Sequence, residues 1–220
     1  MVAVTERGVW VPERSARADL AVFADRACRL DPAAVLRLRT RDADCFEVWV
    51  NTGLDVLAMR LVAGRVAPDD LCAGADAVAA GLAAARPDGF GDPGWSMDSS
   101  WHAMLPPRSG FSHVEDLPAA AVIELGRRGS DAARDAGTPG APASLLSQDV
   151  ITVTGDDGEA IGVEMRAVFA LTGMSFLPTD PAAVGADEIV RVRATPGWLR
   201  VDTRFGSVYR RRGDPNVVLH

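Results

Sequence analysis

The stretch Ala34–Val62, AVLRLRTRDADCFEVWVNTGLDVLAMRLV, decides how this chain reads. From Ala34 to Thr40, Leu36 and Leu38 fall on one side and Val35, Arg37 and Arg39 on the other, the period of two that a half-buried strand requires. Arg41–Asp44 is turn-forming. Cys45–Val50 then resumes the alternation with Phe46, Val48 and Val50 inward, and Asn51-Thr52-Gly53 turns again. Leu54–Val62 supplies a third strand. Short strands joined by tight turns predict an antiparallel meander with one buried face.

Upstream of the meander, Leu20, Phe23, Ala27 and Leu30 recur at spacings of three and four, which predicts a helix over Ser15–Leu30 stopped by Asp31-Pro32. Downstream, a second helix is expected over Pro68–Arg86. Proline suits a first helical position, and Asp69 and Asp70 fall where the helix dipole favours acids. Its stripe is Leu71, Ala75, Val78 and Leu82, and its remaining positions are mostly alanine and glycine, which admits another element at close range. Residues 87–94 read as a linker and Trp95–His113 as an aperiodic loop. Leu117–Ala136 reads as a third helix and Thr138–Ala143 as a Gly/Pro loop. Gln148–Thr154 reads as a strand, Gly155–Gly158 as a tight turn, and the very apolar run from Ile161 to Phe176 as a strand or a helix, with a helix over Val163–Met174 favoured. Pro178–Asp187 is a loop. No internal repeat emerges.

The expected fold is therefore α+β. A helix–antiparallel meander–helix lobe, residues 1–87, leads through a connecting loop, 88–117, into a helix-rich lobe, 118–220, closed by a C-terminal β-hairpin. The two lobes can equally share one compact domain.

That hairpin carries a charge imbalance. Residues 189–213 hold seven arginines and one acid, Asp202, for a formal charge of +6, while the whole chain is −7 and the other 195 residues sum to −13. Thr195-Pro196-Gly197-Trp198 is a turn sequence. With Pro196 and Gly197 at its centre, Arg193 faces Arg200 and Arg191 faces Asp202, leaving Val190, Val192, Leu199, Val201 and Phe205 mainly for the buried side. Like charges directly opposite one another cost up to about 1 kcal/mol unless something negative lies over them. Arginine forks match carboxylates and phosphates, so Arg191, Arg193, Arg200 and Arg204 form the candidate partner-binding face. The structural alternative is a solvated sheet face or one covered by the protein's own acids. Arg210–Arg212 read as a solvated end.

Composition bounds the rest mostly by exclusion. With 48% hydrophobic and 24% charged residues, the chain suits a globular protein with one sizeable core or two small ones. Every one of its 23 basic residues is arginine. Without lysine there is no Walker-type phosphate loop, no Schiff base and no lysine general base. Cys28, Cys45 and Cys72 lack zinc or redox spacing, which fits free thiols and a cytoplasmic setting. No apolar run leads the chain, so no signal peptide is expected, and nothing approaches the roughly 20 apolar residues of a membrane span.

Several motifs invite sharper readings. Gly89-Phe90-Gly91-Asp92-Pro93-Gly94 has a dinucleotide-fingerprint form but neither the leading strand nor the following helix. Gly126-Arg127-Arg128-Gly129 has the form of an RNA-clamping loop. It lies within a helical pattern beside Asp131 and Asp135, where a glycine pair suits close helix packing better. The loop 95–113 gathers Ser, His, Arg and Asp, and His102, Arg108 and His113 are its candidate substrate residues. No nucleophile-elbow pattern accompanies them, and the structural reading is a packed crossing filled by tryptophans. The only histidines are His102, His113 and His220, and Asp156-Asp157-Gly158-Glu159 is turn chemistry, so no metal or cofactor is expected.

These observations favour a non-enzymatic binding or adaptor protein that offers its arginine face to an acidic protein partner or to a second copy of itself. One rival is an enzyme holding a small anionic substrate on the loop 95–113. The other is a nucleic-acid binder using the hairpin with Trp198, Phe205 and Tyr209, against which stands an isoelectric point near 5.0.

Overall fold

The computed structural model describes residues 6–137, 140–155 and 158–213. Its contacts divide the chain into two compact units. One is formed by residues up to Gly53 with Met59–Met104, the other by Leu54–Ala58 with the chain from Leu105 onward.

The first unit contains β1 (Gly8–Trp10), α1 (Arg14–Leu30), β2 (Val35–Thr40), β3 (Cys45–Asn51), β4 (Leu57–Ala63), β5 (Arg65–Ala67), β6 (Asp70–Gly74), α2 (Ala75–Ala83) and β7 (Phe90–Gly91). The Glu13 side chain caps α1 by accepting from the Ser15 and Ala16 amides at 3.0 and 2.7 Å. Its apolar stripe buries Leu20, Phe23, Ala24 and Ala27, and each of the larger two contributes about 1.5–3 kcal/mol. Helix α1 packs on α2.

The main sheet of this unit runs β6-β2-β3-β4. Leu36 pairs with Val50, Leu38 with Val48 and Thr40 with Phe46, the register that the alternation predicts. The meander is not buried on one face alone, however. Glu47 and Trp49 point the other way and are also buried, Glu47 to 2% exposure, with the Trp49 indole N–H donating to its carboxylate at 3.2 Å. The third strand begins at Leu57 rather than Leu54, because Asp55 turns the chain at a φ of 59°. A small second sheet runs β5-β1-β7 and stacks Trp10 edge-on against Phe90 at 5.1 Å.

The expected helix over Pro68–Arg86 is corrected. Asp70–Gly74 is a strand paired with β2, and the helix starts only at Ala75. Leu71, Cys72, Ala73 and Gly74 are all buried, so the strand shows no alternation, and a short apolar run cannot be told from helix by period. The alanine- and glycine-rich surface of α2 does admit a close neighbour: a Cβ on Gly81 would stand 2.0 Å from the Asp92 carbonyl oxygen.

The second unit contains β8 (Ser112–Pro118), α3 (Ala119–Asp135), α4 (Ala143–Leu146), β9 (Asp149–Thr154), β10 (Ala160–Glu164), α5 (Met165–Gly173), β11 (Ile189–Thr195), β12 (Trp198–Asp202) and β13 (Ser207–Arg211). Its main sheet runs β13-β12-β11-β8, and β9 pairs with β10 as a separate ribbon. Helices α3 and α5 pack on one another and on this sheet. Gly126 and Gly129 lie at their contact, where a Cβ would meet Val168 Cγ1 at 3.2 Å and Met165 Sδ at 2.6 Å. The Gly-x-x-Gly form is therefore a packing device.

Three expectations change here. The lobe is not helix-rich, since six strands run through its described residues, and the hairpin is two strands of a three-stranded meander. Residues 112–118 are strand where a loop passing into a helix is expected, and α3 starts at Ala119. The run from Ile161 to Phe176 is strand and then helix: Ala160–Glu164 pairs with β9, and the helix favoured from Val163 starts at Met165. Asp156, Asp157, Thr138 and His220 lie outside the described residues.

Each unit, taken by itself, contains the same parts. A strand and helix lead into a meander (β1-α1-β2-β3-β4 and β10-α5-β11-β12-β13), and a second strand runs straight into a helix (β6-α2 and β8-α3) and pairs with the meander's first strand. The two parts follow in opposite chain order, so the topology repeats where the sequence shows no repeat.

Candidate binding face of the C-terminal strands

Alternation builds the face. Val190, Val192 and Ala194 on β11 and Leu199 and Val201 on β12 are buried, so the intervening Arg191, Arg193 and Arg200 share the opposite side. Arg193 pairs with Arg200 and Arg191 with Asp202, as the turn predicts.

Acids of the same unit meet these arginines. Arg191 donates two hydrogen bonds to Asp116 on β8, at 2.7 and 2.9 Å, in the bidentate geometry that a planar guanidinium favours. Asp116 also lies 3.0 Å from His113 Nε2, and the two contacts hold its carboxyl well below the usual carboxylate range, with Arg191 the larger cause. Asp202, 16% exposed, lies 2.6 Å from Arg200 Nε and 3.5 Å from Arg193 Nε, and accepts from the Ser207 hydroxyl. The Arg200 guanidinium sits 5.4 Å from the Tyr209 ring and 5.8 Å from that of Phe111, and the two rings meet edge-on. Phe205, expected mainly on the buried side, is instead exposed, because it lies in the turn between β12 and β13, and Arg204 lies over its ring at 5.5 Å.

A second ionic cluster escaped the sequence reading. Glu164, at the end of β10, lies 2.8 Å from Arg166 Nε and 2.6 Å from Arg210 Nη1, and Asp55 lies 3.5 and 3.8 Å from the same two arginines. Arg212 donates to the Thr195 carbonyl and pairs with Glu159. Arg210 and Arg212 are thus not a solvated end. Residues so far apart in the chain leave no spacing signal.

The loop candidates divide between the two units. His102 belongs to the first unit, and Arg108 and His113 to the second. The carboxylate beside His113 is the Asp116 that Arg191 already holds. His113 lines a cleft of about 370 Å³ with Ser112, Glu159, Thr195 and Arg212. In the first unit the segment before His102 is pinned to the edge of β6. The Asp98 carboxylate accepts the Cys72 amide at 2.7 Å, the Met97 amide donates to the Cys72 carbonyl at 2.9 Å, and Trp101 lies 5.9 Å from Arg37. A charged turn laid over an edge strand blocks further strand pairing.

All three cysteines are free thiols. Burial, reinforced by Asp98, pushes Cys72 up to about 11, and burial with the Asp42 hydrogen bond does the same for Cys45. Among the described residues, no three His, Cys, Asp or Glu side chains are grouped to hold a metal ion, and no helix is long and apolar enough to cross a membrane.

The fold resembles bacterial DNA polymerase sliding clamps. A DNA polymerase III beta subunit homologue from Eubacterium rectale superposes with a TM-score of 0.60 at 10% identity, over 96% of this chain and 66% of that one. The beta subunit from Streptococcus pyogenes gives 0.54 at 10%, over 93% and 66%. The sliding clamp from Bacillus subtilis gives 0.56 at 11%, over 96% and 65%. The chain thus spans just under two thirds of the length of these structures. No curated protein matches it in sequence. Residues 4–103 match the family described as domain of unknown function DUF8010. Residues 106–215, half of the chain, match the family described as domain of unknown function DUF8185, and the chain belongs to that family.

Proposed function

We propose that this chain is a non-enzymatic binding protein on a clamp-like fold, acting in the cytoplasm, that offers the arginine side of β11 and β12 to an acidic protein segment or to a second copy of itself. One observation carries the reading: Arg193 and Arg200 divide the single carboxylate of Asp202, so that the trio keeps a net positive charge on an otherwise acidic protein. A carboxylate from a partner completes that pairing, whereas Arg191 is already satisfied by Asp116 and acts as a positioned neighbour. Arg204, stacked on exposed Phe205, extends the face.

The test is the triple substitution Arg191, Arg193 and Arg200→Ser in the full chain. Sedimentation equilibrium reads self-association, and fluorescence anisotropy reads binding of a labelled oligoglutamate peptide. The expected result is loss of peptide binding, together with any part of the self-association that runs through this face. Peptide binding and self-association both left at the unsubstituted level by the triple variant, with any self-association abolished by substitutions in the first unit alone, overturn the assignment.

The likeness to DNA polymerase III beta subunits over nearly the whole chain favours DNA as a second reading. Direct binding to DNA separates the two, and such binding weakens steeply with salt concentration because phosphate contacts release counterions. Duplex DNA titrated at two ionic strengths is the measurement, and absence of salt-sensitive binding removes this reading.

A further inference from the structure

We infer that the first unit carries a knob and a matching groove, Trp95 and the hollow over Trp10 and Arg65, through which one copy of the chain binds another. The inference is independent of the arginine face, which lies in the other unit.

Trp95 is 92% exposed, an unusual position for so large a side chain. Its backbone is nevertheless held on both sides. On one, Gly94 adopts a φ of +75°, donates to the Asp92 carboxylate at 2.9 Å and accepts from Arg7. On the other, Met97 and Asp98 are bonded to the backbone of Cys72. A rigid aromatic anchor loses little freedom on binding, and for that reason tryptophans dominate interface energetics.

The groove has a volume of about 480 Å³ and is lined by Trp10, Pro12, Ala63, Gly64 and Arg65, with Asp44 and Asp88 among its acids. The Arg65 guanidinium lies 3.6 Å from the Trp10 ring centroid, so one of its faces is stacked, while the side chain remains exposed. Gly64, at a φ of +146°, lets the chain close on the Trp10 backbone at the edge of the groove: a Cβ there would stand 2.2 Å from the Trp10 carbonyl oxygen. This is the chemistry an indole needs. Its ring stacks on a guanidinium already backed by another aromatic ring, and its N–H finds carboxylate acceptors at the rim. The volume accommodates one tryptophan side chain together with the backbone that carries it.

The test uses the full chain and two single variants, Trp95→Ser and Arg65→Ser, in sedimentation velocity over a concentration series. Neither residue belongs to the buried core, so both variants keep the fold, which circular dichroism checks. Self-association is expected for the unsubstituted chain, weakened by about 30-fold in each variant. An equimolar mixture of the two variants is expected to associate more strongly than either alone, because the Arg65→Ser copy retains the knob and the Trp95→Ser copy retains the groove. Three results overturn the inference: an unsubstituted chain that stays monomeric throughout the series, a Trp95→Ser variant that associates as well as the unsubstituted chain, or a mixture that associates no better than its components. Loss of association in the arginine-face triple variant with none in Trp95→Ser assigns the contact to the second unit instead.

Discussion

Arg193 stands directly opposite Arg200 in the β11–β12 register, and both guanidinium groups are directed at the one carboxylate of Asp202. Two like charges in a directly opposed pair are tolerated because a third residue of the same strands lies between them. Its role makes the two sides of the pair unequal in what they cost to remove.

Asp202→Asn is expected to destabilise the protein by about 2 kcal/mol, since it leaves two part-buried guanidinium groups facing each other and weakens the bonds from Arg200 and Ser207. Arg193→Thr is expected to change stability by at most a few tenths of a kcal/mol, in either direction, because it also relieves the like-charge pair. Urea unfolding of both variants checks the contrast. Equal losses would show that Asp202 does not mediate the pairing.

Acidification gives a second measurement. In the folded protein Asp116 is held well below its ordinary value by Arg191 and then His113, and Glu124 is lowered to about 2 by Arg127 and then Arg128. A carboxyl whose folded value is depressed contributes stability above its unfolded value and loses it as pH falls through the folded one. The unsubstituted protein should therefore lose its advantage over Asp116→Asn and Glu124→Gln on acidification from about pH 4 downward. The difference in unfolding free energy, measured as a function of pH, checks this. A difference that is constant with pH would contradict it.

The cysteines should be unreactive while the protein is folded. Cys72 and Cys45 both titrate near 11, so neither carries appreciable thiolate at neutral pH. A thiol-disulfide reagent is expected to label both slowly in the native state and all three cysteines rapidly in guanidinium chloride. Asp98→Asn should accelerate Cys72 by removing a neighbouring negative charge.

Glycine substitutions should separate backbone contacts from side-chain contacts. Gly81→Ala places a methyl against the Asp92 carbonyl, which cannot retreat without moving the chain, and is expected to cost about 2 kcal/mol. Gly126→Ala meets only side-chain methyls, that of Val168 at 3.2 Å and that of Thr172 at 3.5 Å, and gains up to about 1 kcal/mol in helix propensity, so it should be nearly neutral. Thermal unfolding of the two variants checks the order.

The chain's own residues determined α1, the β2–β3 register, the pairing of Arg193 with Arg200 and the packing role of Gly126 and Gly129. Each rests on local periodicity or turn geometry, and these act over neighbouring residues whatever surrounds them. Tertiary structure alone decided the state of 70–74, 112–118 and 160–164. The first is buried throughout and so lacks alternation. The second is an edge strand, largely exposed and polar, and shows no apolar side. The third passes from strand to helix at Met165 without a breaker residue. Which acid lies over each arginine was also beyond the sequence. Asp116 and Arg191 are 75 residues apart, and only the pairing of β8 with β11 brings their charges within reach.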